Sequence, residues 1–174
     1  MKGAETDGAG DLVGWPEHHF AAHRQRFTEF DPASLRVILA LRITAQRVEN
    51  SLGSWFLPAG LTPQKFGVLV ILQAEGRPVS LSNLRRYLGT TQANVTGLVA
   101  GLERDRFIER RGSQEDRRVS FISLARSGKR IVESVLPEYF LRNKNALRAL
   151  NASEKKMLTE LLGKVSRGYA ALQP

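Results

Sequence analysis

Residues 80–124 constrain the fold of this chain more than any other part of the sequence. Ser80 followed by leucines at helical spacing predicts a short capped helix, and Gly89 predicts a left-handed end to it. Thr90 or Thr91 then caps a longer helix, whose apolar face consists of Val95, Leu98, Val99 and Leu102. The pattern therefore predicts two helices joined by a sharp turn.

Two short β-rich runs follow these helices, at residues 107–111 and 118–124. The charged segment between them is too long for a two-residue hairpin turn. Helix, turn, longer helix and hairpin in this order describe a winged helix-turn-helix, whose second helix enters the DNA major groove. The predicted fold class is mainly α with a small β-wing, and the predicted partner is double-stranded DNA.

The charge of the chain also favours a polyanionic partner. The formal net charge is +9, and residues 76–102 contain no Asp or Glu, whereas Arg77, Arg85 and Arg86 fall within them. On charge alone, a soluble protein that is simply basic remains an alternative. Arg85 and Arg86 are expected either to contact DNA phosphates or only to decorate the surface of the shorter helix.

Composition argues against several classes of protein. No run of about 18 uncharged apolar residues suggests a membrane span, and residues 1–15 lack the apolar centre of a secretory signal, which favours the cytoplasm. The absence of cysteine removes disulfides and thiolate metal sites. No nucleophile elbow, phosphate loop or dinucleotide fingerprint is present, so we expect neither catalysis nor a cofactor.

Further helices are predicted on both sides of this segment. Asp31 and Pro32 start a long helix that reaches about Phe56, and Thr62 caps a second helix that ends near Gly76. Two amphipathic helices follow Leu124. We therefore expect a winged helix-turn-helix lobe at 61–124 and a helical dimerisation lobe formed by 31–60 and 125–174.

The first thirty residues are expected to form a tail with a possible docking arm. Residues 1–11 suggest a mobile tail, and residues 12–30 an arm or short helix that docks its aromatic side chains elsewhere. His18, His19 and His23 invite a metal-site hypothesis. However, no carboxylate or cysteine cluster accompanies them, so solvated or capping histidines are the expected use and no metal is predicted.

Four sequence features carry a family resemblance. They are the order of helices and hairpin, the segment NVTGLVAGLERDRFIERR at 94–111, the segment EDRR at 115–118, and the segment LARSGKR at 124–130. With these features, residues 31–172 resemble the MarR family of bacterial transcription regulators. Ala125 departs from the family pattern because it stands where a capping Thr is usual, so this helix start should be weaker by about 1 kcal/mol.

The predicted recognition helix offers polar side chains on the face opposite its apolar stripe. Gln92 and Asn94 carry amides that can pair with adenine, and Thr96 can meet a phosphate or a thymine methyl. Thr91 and Ala93 lie in the same N-terminal turn, whose free N–H groups favour phosphate oxygens. Simple solvent exposure is the alternative for Gln92 and Asn94.

The hairpin tip supplies the second expected DNA contact. Arg117 and Arg118 can reach along the backbone into the neighbouring minor groove. The resemblance implies that Arg118 is the inserted side chain and that Asp116 holds the wing in shape through an ion pair. A charged, solvated hairpin is the alternative, because acids nearly balance the arginines there.

The resemblance also implies a homodimer and a small aromatic effector. Two subunits would read a near-palindrome with half-sites about 10 bp apart. Trp55, Phe56, Phe66 and Tyr139 are candidates to line an effector cavity, with ordinary core packing as the alternative. The resulting hypothesis is a homodimeric regulator, more often a repressor in such families; a non-specific architectural nucleic-acid binder is the alternative.

Overall fold

The computed structural model of the chain describes residues 17–112 and 120–172. These residues form a mostly helical protein with one small sheet, which confirms the predicted fold class. In chain order the elements are α1 (Glu17–Arg26), α2 (Pro32–Phe56), a 3-10 turn (Leu57–Ala59), α3 (Pro63–Glu75), β1 (Val79–Ser80), α4 (Leu81–Leu88), α5 (Gln92–Arg104), β2 (Ile108–Gly112), β3 (Ser120–Leu124), α6 (Arg126–Ala146) and α7 (Ala152–Ala170).

Side-chain caps begin α2 and α7 where the sequence predicts them. The Asp31 carboxylate accepts the N–H groups of Ala33 and Ser34 at the start of α2. The hydrogen bond from the Ser34 hydroxyl, together with these two backbone bonds, lowers the pKa of Asp31. Asn151 and Glu154 form the predicted capping box of α7. Local capping chemistry therefore fixes these boundaries.

The sheet has three antiparallel strands in the order β1-β3-β2. The sequence predicts only the hairpin strands, at 107–111 and 118–124; β2 and β3 begin one and two residues later. The strand β1 was not predicted. Ser80, predicted only as a helix cap, also pairs with Phe121 of β3. Residues 113–119 between β2 and β3 lie outside the described residues.

One hydrophobic core joins the helix-turn-helix to the flanking helices. Most of its buried residues belong to α3, α4, α5 and the sheet, but Phe56 of α2 and Val132 of α6 are members of the same cluster. The core therefore continues across residue 60, where the sequence predicts a boundary between two lobes. In the part of the chain that the structure describes, the largest fully buried side chains are Phe56, Phe66, Val68, Leu69, Leu84, Val95, Val99, Leu102, Ile122 and Val132, with Phe20 of α1.

The end of α5 is tied closely to the start of α6. Arg106 adopts a left-handed conformation with φ of 60°, which turns the chain from α5 into β2. Its carbonyl accepts the Ser127 hydroxyl, and the Phe107 carbonyl accepts the Ala125 N–H at 3.0 Å. Ala125 itself supplies no side-chain cap to α6, as predicted. One side-chain hydrogen bond and one backbone hydrogen bond therefore connect the start of α6 to the end of α5, although α6 has no side-chain cap.

The helix α1 lies within residues 12–30, where an arm or short helix is expected. Phe20 is completely buried, with the Arg36 guanidinium 4.1 Å from its ring centroid and the Phe30 ring 6.4 Å away. Phe20 is therefore packed inside the protein, whereas Phe27 is half exposed. The tail proposed for residues 1–11, and Trp15, lie outside the described residues.

Two further findings concern membranes and metals. In residues 17–112 and 120–172, no single helix is long and apolar enough to span a membrane; one bent pair, Pro32–Ala59 with Pro63–Glu75 at 74°, passes that test on length and composition. The same residues contain no group of three His, Cys, Asp or Glu that could hold a metal ion. His23 instead packs its ring beside Phe27 and Phe30.

Candidate DNA-binding surface

The turn between α4 and α5 is built from one glycine and two threonines. Ser80 accepts the Asn83 N–H at the start of α4, and Gly89 ends that helix with φ of 59°. A left-handed conformation at this point favours glycine because it has no Cβ. Of the two threonines, Thr91 is the cap of α5, since its hydroxyl oxygen accepts the Asn94 N–H at 3.3 Å.

The two faces of α5 differ as the sequence predicts. Val95, Val99 and Leu102 are buried against the core. Four of the predicted contact residues, Gln92, Ala93, Asn94 and Thr96, are exposed on the first two turns, and the capping Thr91 is exposed beside them. The structure therefore brings all five predicted recognition-helix residues together at one end of a helix whose other face is anchored.

Two separate hydrogen bonds orient two of these side chains. The Asn94 amide donates to Thr90 Oγ1 at 2.8 Å, which leaves its carbonyl oxygen and a second N–H available for a base edge. The Thr96 hydroxyl donates to the Gln92 carbonyl at 2.9 Å. Its proton is thus engaged within the helix, and its methyl group remains for apolar contact. Sequence reasoning missed the role of Thr90, although a hydroxyl four residues before an asparagine is a recognisable signal.

Arg85 and Arg86 lie in the last turn of α4, next to this surface. Both side chains are exposed, and the Arg86 guanidinium lies 5.3 Å from the Tyr87 ring centroid. They add positive charge beside α5, in the stretch that contains no acidic residue. Their geometry fits either of the two predicted uses.

Only the base of the wing belongs to the described residues. Arg110 donates to Ser120 across the hairpin at 3.0 Å, and Arg111 pairs with Glu109 on its own strand at 3.2 Å. The side chains of Ile108 and Ile122 bury the inner face of the hairpin against the core. Asp116, Arg117 and Arg118, the predicted wing contacts, lie outside the described residues.

The four aromatic residues proposed for an effector cavity form one cluster. The ring centroids of Phe56 and Phe66 are 4.6 Å apart, and Tyr139 lies 5.3 Å from Phe66 and 6.2 Å from Trp55. Phe56 and Phe66 are 1% and 2% exposed, whereas Trp55 and Tyr139 are only partly buried. The cluster thus has a packed inner half and a more accessible outer half.

An ion pair lies at the opposite end of α5 from the exposed polar face. Lys65 Nζ of α3 approaches Asp105 Oδ2 to 2.5 Å, and the two side chains are 18% and 28% exposed. The hydrogen bond from Lys65 is the main cause that lowers the pKa of Asp105, partly opposed by burial. This contact joins residues that are 40 positions apart, and no local sequence pattern predicts it.

The geometry defines a winged helix-turn-helix protein with an exposed polar recognition helix. A family model described as the MarR family matches residues 59–119. The chain is 31% identical over 146 residues to the HTH-type transcriptional repressor YetL of Bacillus subtilis (strain 168), covering 83% of this chain and 87% of YetL. It therefore belongs to the MarR family, a family of DNA-binding transcription regulators rather than enzymes.

Two other proteins show the same likeness. The chain is 30% identical over 128 residues to the transcriptional repressor MprA of Escherichia coli (strain K12), covering 73% of this chain and 72% of MprA. A solved structure of Bordetella bronchiseptica BpsR, described for regulation of its DNA binding by 6-hydroxynicotinic acid, superposes with a TM-score of 0.67 at 26% identity. That match covers 75% of this chain and 98% of the BpsR chain.

Proposed function

We propose that this protein is a homodimeric, sequence-specific transcription regulator that binds a pseudo-palindromic operator in the cytoplasm. The observation that carries the proposal is the exposed polar turn of α5, held in place by the buried face of the same helix. YetL and MprA are both named repressors, which supports repression as the sign of regulation. Residues 61–124 would act as the DNA-binding lobe.

The helix α7 supports the proposed dimer. All of its residues are described and none is buried, although Leu158, Leu161 and Leu162 recur along it at helical spacing. Phe140 and Leu141 of α6 are also more than half exposed. Apolar faces of this extent generally mark an interface. A second subunit packed against residues 31–60 and 125–174 would cover them and place two copies of α5 on one face of DNA.

Base recognition is assigned to the first turns of α5. Asn94 would accept from adenine N6 and donate to N7, which one asparagine amide can do simultaneously. Thr96 would contact a thymine methyl, because its hydroxyl proton is engaged by the Gln92 carbonyl. Thr91, Gln92 and Ala93 would complete the contact, and Arg85 and Arg86 would meet the flanking phosphates.

Effector control is the last part of the proposal. The regulation of BpsR by 6-hydroxynicotinic acid supports a small aromatic ligand for a protein of this fold. The accessible half of the aromatic cluster, Trp55 and Tyr139, would contact that ligand, while Phe56 and Phe66 form the floor. Since all four residues also join α2, α3 and α6, a ligand there would act on the packing between the two lobes.

The direct test of the proposed function is a competition gel shift. The probe is the DNA upstream of the protein's own gene, and the competitors are the same unlabelled fragment and a scrambled fragment of equal length. We expect the specific fragment to compete at far lower concentration than the scrambled one. Equal competition, with a steep dependence on salt, would instead indicate a non-specific architectural binder.

Replacing Asn94 by alanine is expected to relax sequence preference at one base pair per half-site, by about 1–3 kcal/mol of discrimination. The measurement is fluorescence anisotropy with operators that vary at each position in turn. Asn50→Ala is the matched control, because Asn50 is an exposed helical asparagine bonded at 2.8 Å to the residue four positions before it. If Asn94→Ala lost affinity equally on every operator variant, the side chain would position the helix without reading a base.

Replacing Arg118 by alanine is expected to weaken operator binding by about 1–3 kcal/mol without changing thermal stability. The reason is the loss of a cation from the narrow minor groove beside the recognition helix. Arg111→Ala removes the same charge from the base of the hairpin, where the side chain pairs with Glu109. If Arg118→Ala and Arg111→Ala lost equal affinity for the operator, the wing would contribute only its general positive charge.

A further inference from the structure

Lys65 and Asp105 each lie at the electrostatically unfavourable end of their own helix. Lys65 is in the first turn of α3, where the positive end of the helix dipole disfavours a cation. Asp105 is the C-terminal cap of α5, where the negative end disfavours a carboxylate. The first turn of α3 holds no acidic residue that could pair with Lys65, and the partner of Asp105 on α5 is the exposed Arg104, whose Nε lies 3.7 Å from Asp105 Oδ1. The 2.5 Å contact between the Lys65 and Asp105 side chains explains both placements, since each charge compensates the other.

The packing around this ion pair is specific. An added Cβ on Gly101 of α5 would lie 3.2 Å from Lys65 Cε and 3.5 Å from Nζ, so the lysine side chain passes directly over this glycine. Both partners are mostly shielded from solvent. The hydrogen bond from Lys65 lowers the pKa of Asp105, because it favours the ionised carboxylate. The contact therefore holds the C-terminal end of α5 against the N-terminal end of α3.

Gln64, the residue before Lys65, makes a hydrogen bond to α2 on the other side of α3. Gln64, next to Lys65 on the first turn of α3, donates its amide to Glu49 Oε2 of α2 at 2.8 Å. Consecutive residues thus connect the long helix α2 on one side and the recognition helix α5 on the other. The first turn of α3 therefore contacts both α2, which flanks the DNA lobe, and α5, the proposed recognition helix.

We propose that Lys65 and Asp105 form a clamp that sets the direction of the recognition helix and thereby its sequence discrimination. The distance along α5 from Gln92 to Arg104 is about 18 Å at 1.5 Å per residue. A tilt of about 5° at the clamped end would thus move the first turn by roughly 1.6 Å, whereas hydrogen bonds tolerate about 0.5 Å. Lys65 and Asp105 are positioning residues, because they act through Asn94 and its neighbours. The proposal rests on the proposed sequence-specific binding.

The test compares affinities for operator and scrambled DNA in wild type, Lys65→Met, Asp105→Asn and the exchanged pair Lys65→Asp with Asp105→Lys. We expect the single variants to lose at least about fivefold in the ratio of the two affinities, the lower end of what one bidentate base contact supplies. The exchanged pair should recover the wild-type ratio of affinities, because the exchange restores the ion pair and places each charge at the favourable end of its helix dipole. Arg77→Met is the control, because it removes one positive charge and breaks the exposed Arg77–Glu75 pair.

A purely structural role for the pair would give a different result. Thermal unfolding temperatures would then fall, and affinities for operator and scrambled DNA would fall together, which leaves their ratio unchanged. Wild-type discrimination that persists in both single variants would overturn the clamp and leave the proposed function intact. A wild type that does not discriminate would overturn both proposals.

Discussion

Replacing Leu161 and Leu162 together by glutamate is expected to leave the protein monomeric and to lower operator affinity by about 10²- to 10⁴-fold. These side chains are 49% and 43% exposed on α7, in a helix that buries none of its residues within its own chain. In a dimer they would lie in an apolar interface, where an unpaired carboxylate is strongly disfavoured. A monomer has one recognition helix and loses the second half-site.

The measurements are sedimentation velocity for the oligomeric state and anisotropy for DNA binding. Lys156→Glu is the matched control, because it makes the same change in net charge as the two leucine substitutions on the same exposed helix. We expect the control to remain dimeric, with at most a modest loss of affinity from charge. A double variant that sediments as a dimer and binds the operator normally would rule out α7 as the interface.

Replacing Gly128 by alanine is expected to destabilise the fold by about 3 kcal/mol. The added Cβ would lie 2.0 Å from the Phe107 carbonyl oxygen and 2.9 Å from its carbon, both of them backbone atoms. That oxygen also accepts the Ala125 N–H, so it cannot move away without losing a hydrogen bond. The junction between α5 and α6 would have to open.

Differential scanning calorimetry without DNA is the appropriate measurement. For a chain of this size the melting temperature should fall by roughly 6–12 °C. Gly97→Ala is the control, since an added Cβ there meets nothing within 4 Å and alanine favours a helix by about 1 kcal/mol over glycine. Similar melting temperatures for Gly128→Ala and wild type would mean that the two backbone segments separate easily.

The features predicted correctly are those that depend on near neighbours in the chain. The caps at Asp31, Thr62, Ser80 and Asn151 each require a side chain and an N–H two or three residues later, so local sequence contains the whole interaction. The strand β1 was missed for the opposite reason. Two residues carry no periodicity of their own, and they become a strand only because β3 lies beside them.

The candidate site also combines features set by near neighbours in the chain with features set by distant residues. The exposed face of α5 follows from helical spacing, and the amides of Gln92 and Asn94 on that face predict base contact. The contacts at the C-terminal end of α5 join residues that are far apart in the chain. Ser127 bonds to Arg106, and Lys65 bonds to Asp105. Such pairs follow from how the helices pack, and one sequence gives no measure of that packing.

The double role of Ser80 links the sheet to the short helix α4. This residue pairs with Phe121 in the sheet and accepts the Asn83 N–H as the cap of α4. Since β3 is the central strand, a hairpin that entered a groove, as proposed, and was displaced there would also pull on β1. The helix α4 would receive that pull at its first turn, so the proposed wing insertion would be coupled mechanically to the placement of the helix-turn-helix.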